Sequence, residues 1–400
     1  MAIYVWKGKN RYGDVVGGER VASSLEEVAR TLQKEQITVL NIKPKRGGLR
    51  IPFLQREKVK LKEMSVFSRQ LSVLIDAELP LMSSLNILAE QTKNRYFKRV
   101  INTVKDDVEA GSTLNQAMRK FPKAFDDLYC NLIASGEQSG SLDIMLRRLS
   151  EFIEKTVRLR SKVRQAMIYP TAIVSFAVLV AIFLLWKVIP VFASIFQDLG
   201  AELPGLTALI IGLSHFVQRY IIFIFLGLIA LVVLFRYYRR SASGRVVVDR
   251  FLLRIPLIGK LLEKVAISRI TRTLSTLLSG GVAMLESLRI TSSTSGNIIL
   301  ENSVMEARRL VGEGRTLTDA FKESRRFPFM MTQMVNVGEA TGTLDEMLSK
   351  LADFYDEEVD TSVAALLSIL EPVLLILVGG LVGSLIVSMY LPIFSLMQKF

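Results

Sequence analysis

Residues 136–146 read GEQSGSLDIML, and residues 338–348 read GEATGTLDEML. Seven of the eleven positions are identical, at an offset of 202. Self-similarity at a fixed spacing marks a duplicated structural unit, and the match extends outward on both sides. Upstream, GSTLNQA (Gly111–Ala117) returns as GRTLTDA (Gly314–Ala320) at an offset of 203. Arg69, Leu71, Ser72 and Leu74 align with Arg272, Leu274, Ser275 and Leu277, and IPFL at 51–54 with IPLI at 255–258. Downstream, Tyr169-Pro170 aligns with Glu371-Pro372, and VIPVF (188–192) with YLPIF (390–394). One unit therefore runs from about residue 51 to 196 and again from about 255 to 398, each time from a polar region into an apolar one.

Within each copy the local chemistry is helical. Leu71, Leu74, Ile75, Leu85 and Leu88 recur at three- and four-residue spacing, the period of an amphipathic helix. Thr113-x-x-Gln116 and Thr316-x-x-Asp319 resemble capping boxes after a glycine stop, and Thr343-x-x-Glu346 is a third, with Ser141 the matching cap in copy one. Asp143 and Asp345 fall in first turns, where the helix dipole favours acids. Gly136 with Gly140, and Gly338 with Gly342, bracket the turn that precedes Leu142 and Leu344. Each copy is predicted to be a bundle of about six short helices.

Three stretches are apolar enough to span a membrane. Thr171–Phe196 is interrupted only by Lys187, Leu203–Phe235 carries only Arg219, and Pro372–Gln398 has no charge. A spanning helix needs about 20 such residues, and Lys187 satisfies this by snorkelling. Pro170 and Pro372 are expected in the first turn of their spans, where proline's missing donor costs nothing. Lys155, Arg158, Arg160, Lys162 and Arg164 precede the first span; Arg236, Arg239, Arg240, Arg245 and Arg250 follow the second against the single acid Asp249. The loop between them holds Asp198 and Glu202 and no base. By the positive-inside rule both large polar regions are cytoplasmic and the loop at 197–205 is periplasmic, with the C-terminus beyond the third span also periplasmic. The second span belongs to neither copy; without it the second copy would lie across the membrane from the first.

Residues 1–50 differ from the rest. YVWKGKNRYGDVVGGERVAS alternates like a β-hairpin, SLEEVARTLQKEQ is helical with Ser23 or Ser24 as cap, and ITVLNIKP is a strand. A small ββαβ module is predicted, joined by the basic linker KPKRGGLR. The start, MAIYVWKGKN, has no apolar core or cleavage site of a signal peptide, so the N-terminus is expected in the cytoplasm. The predicted layout is a cytoplasmic module at 1–50, helical domains at 51–168 and 239–365, spans at 169–196, 206–238 and 366–398, and a periplasmic loop at 197–205. The fold class is mainly α.

Composition narrows the function. The chain of 400 residues is 50% hydrophobic with a net charge of +13. Its basic residues cluster beside the spans and not with interleaved aromatics on a separate face, which argues for a membrane and against nucleic acid. Cys130 is the sole cysteine and His215 the sole histidine, so no intramolecular disulfide or His/Cys metal site forms within one chain. No GxxxxGK[ST] phosphate loop and no plausible catalytic triad occurs. No catalytic, metal or cofactor residues are assigned. An enzyme is disfavoured; an oligomeric channel or transporter is the remote alternative, weakened by three spans per chain and by the lack of repeated polar sites in them.

The doubled GExxGxLDxML signature with proline-led spans resembles the type II secretion F family, the inner-membrane platform proteins of type IV pilus and type II secretion machines. The resemblance covers the whole chain. It implies a non-enzymatic homo-oligomeric platform in the bacterial inner membrane. Its partners would be cytoplasmic assembly and retraction ATPases, pilin subunits and other inner-membrane pilus alignment proteins. Length, a single ββαβ module and three spans favour the pilus version, with the secretion platform as the alternative.

Several residues admit two readings. Glu137 and Glu339 are either contacts for a partner ATPase or a cation, or capping and packing groups. Glu371, where copy one has Tyr169, is either functional at the mouth of the third span or placed harmlessly among headgroups. Lys187, His215 and Arg219 read as interfacial anchors. Gly379, Gly380, Gly383 and Ser384 form a small-residue strip that packs either within the protomer or between protomers. Cys130 reads as a buried small hydrophobe.

Overall fold

The computed structural model of the chain describes residues 2–9, 15–22, 29, 31–33, 37–44, 58–198 and 205–397. It divides into two units, Met1–Glu57 and Lys58–Phe400.

In the first unit, β1 (Ala2–Lys9) pairs antiparallel with both β2 (Val15–Ala22) and β3 (Thr38–Pro44), giving the sheet order β2-β1-β3. Residues 29 and 31–33 between β2 and β3 are helical. The expected hairpin turn, the Ser23/Ser24 cap, most of the basic linker and the IPFL segment at 51–54 lie outside the described residues.

The second unit is helical. The first copy comprises α1 (Leu61–Asp76), α2 (Leu81–Gln91), α3 (Arg95–Glu109), α4 (Leu114–Arg119), α5 (Asp127–Ser139) and α6 (Leu142–Ala166). The first span follows as α7 (Ile168–Phe183), a π-helical turn (Leu184–Val188) and α8 (Ile189–Asp198). The second span is α9 (Gly205–Arg240), followed by α10 (Ala242–Arg254). The second copy comprises α11 (Ile258–Ser279), α12 (Met284–Thr294), α13 (Ile298–Gly312), α14 (Leu317–Ser324), α15 (Phe329–Thr341) and α16 (Leu344–Met397). The helices starting at 81, 95 and 114 recur 203 residues on, and those starting at 127 and 142 recur 202 residues on. The change of offset therefore falls between the starts of α4 and α5 and of α14 and α15, where copy two is one residue shorter.

Each copy closes around its own apolar core. Leu71, Leu85, Leu88, Phe97, Ile101 and Leu132 are fully buried in the first, with Leu74 and Ile75 packed against them. Ile267, Leu274, Val304, Phe321, Met331 and Leu348 fill the second. Cys130 is buried in the first core, and burial pushes its thiol up to about 11, so it behaves as a small apolar side chain. An ion pair repeats with the cores: Arg69 meets Glu154 at 3.7 Å in copy one, and the aligned Arg272 meets Asp356 at 2.6 Å in copy two.

The copies also touch each other. Leu159, Leu261, Val265, Val359 and Leu366 form a shared cluster. Lys155 reaches Asp353 at 2.8 Å and Lys162 reaches Asp360 at 2.5 Å, two pairs seven residues apart on each helix, so α6 and α16 run parallel there. Two bases of the flank before the first span thus tie the copies together as well as flanking a membrane helix.

Among the described residues, three helices are long and apolar enough to cross a membrane. Leu185, Ile189, Ile210 and Leu385 bury one another where the three meet. One expectation is overturned. Pro170 does lie in the first turn of α7, after a break at Met167, but Pro372 lies deep inside the unbroken 54-residue α16. The last helix of copy two continues into the span without the turn that copy one makes. Pro372 consequently removes the N–H that would serve the Ser368 carbonyl.

Candidate functional site

The repeated signature builds a helix–turn–helix in each copy. Gly140 (φ 68°) and Gly342 (φ 71°) end α5 and α15 in the left-handed region, and their N–H groups donate to the carbonyls of Gly136 and Gly338. The next residues, Ser141 and Thr343, donate their N–H groups to the same carbonyls at 3.0 Å. This closes the helix end and turns the chain at once into α6 or α16, which begin at Leu142 and Leu344. Gly136 and Gly338 serve a different need. A Cβ there would stand 3.0 Å from Leu142 Cα or 2.8 Å from Leu344 Cα, so the two helices pack with backbone against backbone.

Glu137 and Glu339 reach across to an earlier helix. Glu137 accepts the N–H of Leu114 (2.5 Å) and of Asn115 (3.1 Å); Glu339 accepts those of Leu317 (2.6 Å) and Thr318 (2.9 Å) and the Thr318 hydroxyl. Thr113 and Thr316 accept the next N–H groups, those of Gln116 at 3.2 Å and Asp319 at 3.1 Å. Three of the four orphan donors at the start of α4 and α14 are thereby satisfied, with a carboxylate at the positive end of the helix. This is the geometry of a cap: both oxygens of each carboxylate are engaged inside the domain.

Ser141 does not cap α6. Its hydroxyl pairs with that of Ser139 at 2.6 Å, and Thr343 pairs with Thr341 at 2.7 Å, because the left-handed glycine brings the flanking hydroxyls together. Asp143 lies in the first turn of α6 near Arg147 (4.0 Å), and Asp345 in the first turn of α16.

In the membrane bundle the structure brings together residues that were not singled out. The π-turn and Pro190 withhold the intrahelical donors from the carbonyls of Leu185 and Trp186. Ser214 of α9 donates its hydroxyl to Leu185, and Gln218, one turn further on, donates to Trp186 at 3.0 Å. Copy two repeats the arrangement. Pro392 cannot serve the Ser388 carbonyl, and Thr207 of α9 donates to it at 2.8 Å. The middle span thus satisfies a proline-orphaned carbonyl in each of its neighbours. The aligned prolines in VIPVF and YLPIF were the available signal.

The Trp186–Gln218 bond sets Lys187 and Arg219 at one level. Lys187 Nζ lies 4.7 Å from the Trp186 ring centre and the Arg219 guanidinium 5.8 Å from that of Tyr220, a pairing of cations and aromatics typical of membrane boundaries. His215 and Glu371 are exposed on their helices. At Gly379, Gly380 and Gly383 an added Cβ would meet no neighbour within 4 Å, and Ser384 is exposed beside them, so among the described residues nothing packs on the strip.

Two matched helical domains, each feeding a membrane span, with their signature residues engaged in internal caps and turns, define a membrane-embedded tandem scaffold. Comparison with known families agrees. The family described as "Type II secretion system (T2SS), protein F" matches residues 67–190 and 270–392, and the N-terminal domain of that protein matches residues 1–43. The chain belongs to the type II secretion system protein F family. It is 41% identical over 398 residues to the type IV pilus assembly protein PilC of Myxococcus xanthus, covering 99% of this chain and 95% of that one. It is 42% identical over 401 residues to PilC of Thermus thermophilus (99% and 98%). To type II secretion system protein F of Pseudomonas aeruginosa it is 31% identical over 404 residues (100% and 99%).

Proposed function

We propose that the chain is the inner-membrane platform of a type IV pilus system, coupling cytoplasmic assembly and retraction ATPases to pilin subunits in the membrane. The observation that carries this reading is α16, which runs 54 residues from inside the second domain into a membrane span without interruption. At 1.5 Å per residue it is a rod of about 80 Å. Displacement of the domain by a partner would be transmitted along it into the bilayer. The first copy has the same plan with one break. Identities of 38–42% to several pilus assembly proteins, against 31–32% to secretion proteins, favour the pilus over the secretion machine.

In this reading the chain hydrolyses nothing itself, and nucleotide turnover belongs to a partner. The basic flanks orient both helical domains and the N-terminus to the cytoplasm, with residue 200 and the C-terminus periplasmic. Reporter fusions after Leu54, Arg240 and Ser349 then read cytoplasmic, and one at Gly200 reads outside. Protomers associate through the Gly379/Gly383 strip. Co-purification of the assembly ATPase with the full chain tests the coupling. It is expected to weaken as salt rises, because much of the +13 charge lies on the cytoplasmic side. Absence of co-purification at low salt would refute it.

A further inference from the structure

Between the two helical domains lies a cleft of about 530 Å³, the size of a small-molecule site. Its lining includes the apolar side chains of Val59, Met64, Leu149 and Phe152 of the first domain. It also includes Arg160 from α6 and Arg269 and Arg272 from α11. The charges in the lining are unequally matched. Arg272 is held by Asp353 (2.9 Å) and Asp356 (2.6 Å), and Lys155 at the rim by Asp353 (2.8 Å). The acids that line the cleft are also engaged: Asp356 accepts the Ser268 hydroxyl at 2.5 Å, and Asp126 accepts the Tyr129 N–H at 2.9 Å. Arg160 and Arg269 have no acidic partner among the described residues.

Arg269 is half-buried, and burial together with the neighbouring Arg160 charge pushes its pKa down. Arg269 is thus a part-buried guanidinium with a second, more exposed cation near it and no acid to compensate it, an arrangement that a bound anion would relieve. The fold also leaves space for this arrangement. Gly296 (φ 80°) faces Arg269, and a Cβ there would stand 2.5 Å from Arg269 Nη1.

We infer that this cleft binds the phosphate group of an organic molecule, with Arg160 and Arg269 gripping the phosphate and the apolar side chains of the lining receiving the rest. Guanidinium forks match phosphate oxygens in a bidentate manner. Because one arginine comes from each copy, the ligand would fasten the two domains to each other. The inference goes beyond the platform role and does not depend on it, since binding is read on the purified chain with no partner present.

The test is calorimetric titration of the full chain in neutral detergent. The probes are pyrophosphate and adenosine and guanosine mono-, di- and triphosphates, with citrate as a polyanion lacking phosphate. One saturable site per chain is expected for a phosphate compound, with citrate at least tenfold weaker. Arg269→Met and Arg160→Gln should each weaken binding at least tenfold. Arg158→Gln, which removes the same charge from an exposed position on α6 outside the cleft, should leave it unchanged. Arg160 is itself exposed, so its variant remains informative if Arg269→Met misfolds. Repeating the titration in nanodiscs with and without anionic phospholipid separates the two sources of phosphate. Undiminished binding in both assigns a soluble ligand, and competition by anionic lipid assigns a headgroup. No phosphate binding at millimolar concentration in detergent or zwitterionic nanodiscs, citrate as tight as pyrophosphate, or equal weakening by Arg158→Gln would each overturn the inference.

Discussion

Substituting the two glycines of each signature turn should produce opposite dependences on the new side chain. At Gly140 and Gly342 the constraint is backbone alone: φ is 68° and 71°, and an added Cβ meets nothing within 4 Å. Alanine there incurs the left-handed penalty of about 1–2 kcal/mol. Asparagine, which tolerates that region, should cost less than alanine despite its size. At Gly136 and Gly338 the constraint is contact. Carbon atoms rest about 3.5–4.0 Å apart, whereas the new Cβ would stand 3.0 Å from Leu142 Cα and 2.8 Å from Leu344 Cα. The helices must separate by roughly 0.5–1 Å, and overpacking of this kind costs about 1–3 kcal/mol. Asparagine there should be worse than alanine, and Gly338→Ala worse than Gly136→Ala. Hydrogen exchange of the full chain reads these costs locally, since about 1.4 kcal/mol of opening free energy is tenfold in exchange rate. Peptides covering 136–146 and 338–348 should report them. If Gly140→Asn exchanges as fast as Gly140→Val, or Gly338→Ala is silent, the division of roles is wrong.

In the bundle, Gln218→Leu and Thr207→Val should each cost about 1 kcal/mol of stability by leaving the Trp186 or Ser388 carbonyl without a donor; Pro190→Ala should rescue the first and Pro392→Ala the second, and thermal melts without rescue would refute the pairing. The double change Gly379→Leu/Gly383→Leu should leave membrane insertion intact and lower oligomerisation, measured by native mass in mild detergent. A double variant that assembles like the parent would move the interface to the helical domains. Burial works against Asp353, but the Lys155 ammonium and Arg272 guanidinium outweigh it and hold its carboxyl below the usual range. A depressed folded pKa contributes stability that is present above the unfolded value of about 3.9 and fades as pH falls below it. The tie between α6 and α16 should therefore loosen below about pH 4, and Asp353→Asn should remove that part of the acid dependence seen in crosslinking between the two helices.

Much of the architecture was legible because it is written twice. The offsets of 203 and 202 read from the sequence return in the helix starts. The spans were visible in uncharged runs such as Pro372–Gln398. What resisted reading is what depends on distant partners. Glu137 caps α4 from 23 residues away in sequence, and no local rule distinguishes such a carboxylate from a docking charge. Pro372 was misplaced because first-turn preference is a local rule, while the helix around it is set by continuity with the second domain. The hydrogen bonds of Thr207, Ser214 and Gln218 join elements up to 181 residues apart. The convergence of Arg160 and Arg269 likewise exists only once the two copies meet.

The platform role is tested most directly by deleting the gene from its own bacterium and counting surface pili by electron microscopy, with exoprotein secretion measured in parallel. A pilus platform requires that pili disappear, that the full chain restores them, and that secretion is unaffected. Normal piliation in the deletion strain, or lost secretion with pili intact, would contradict it.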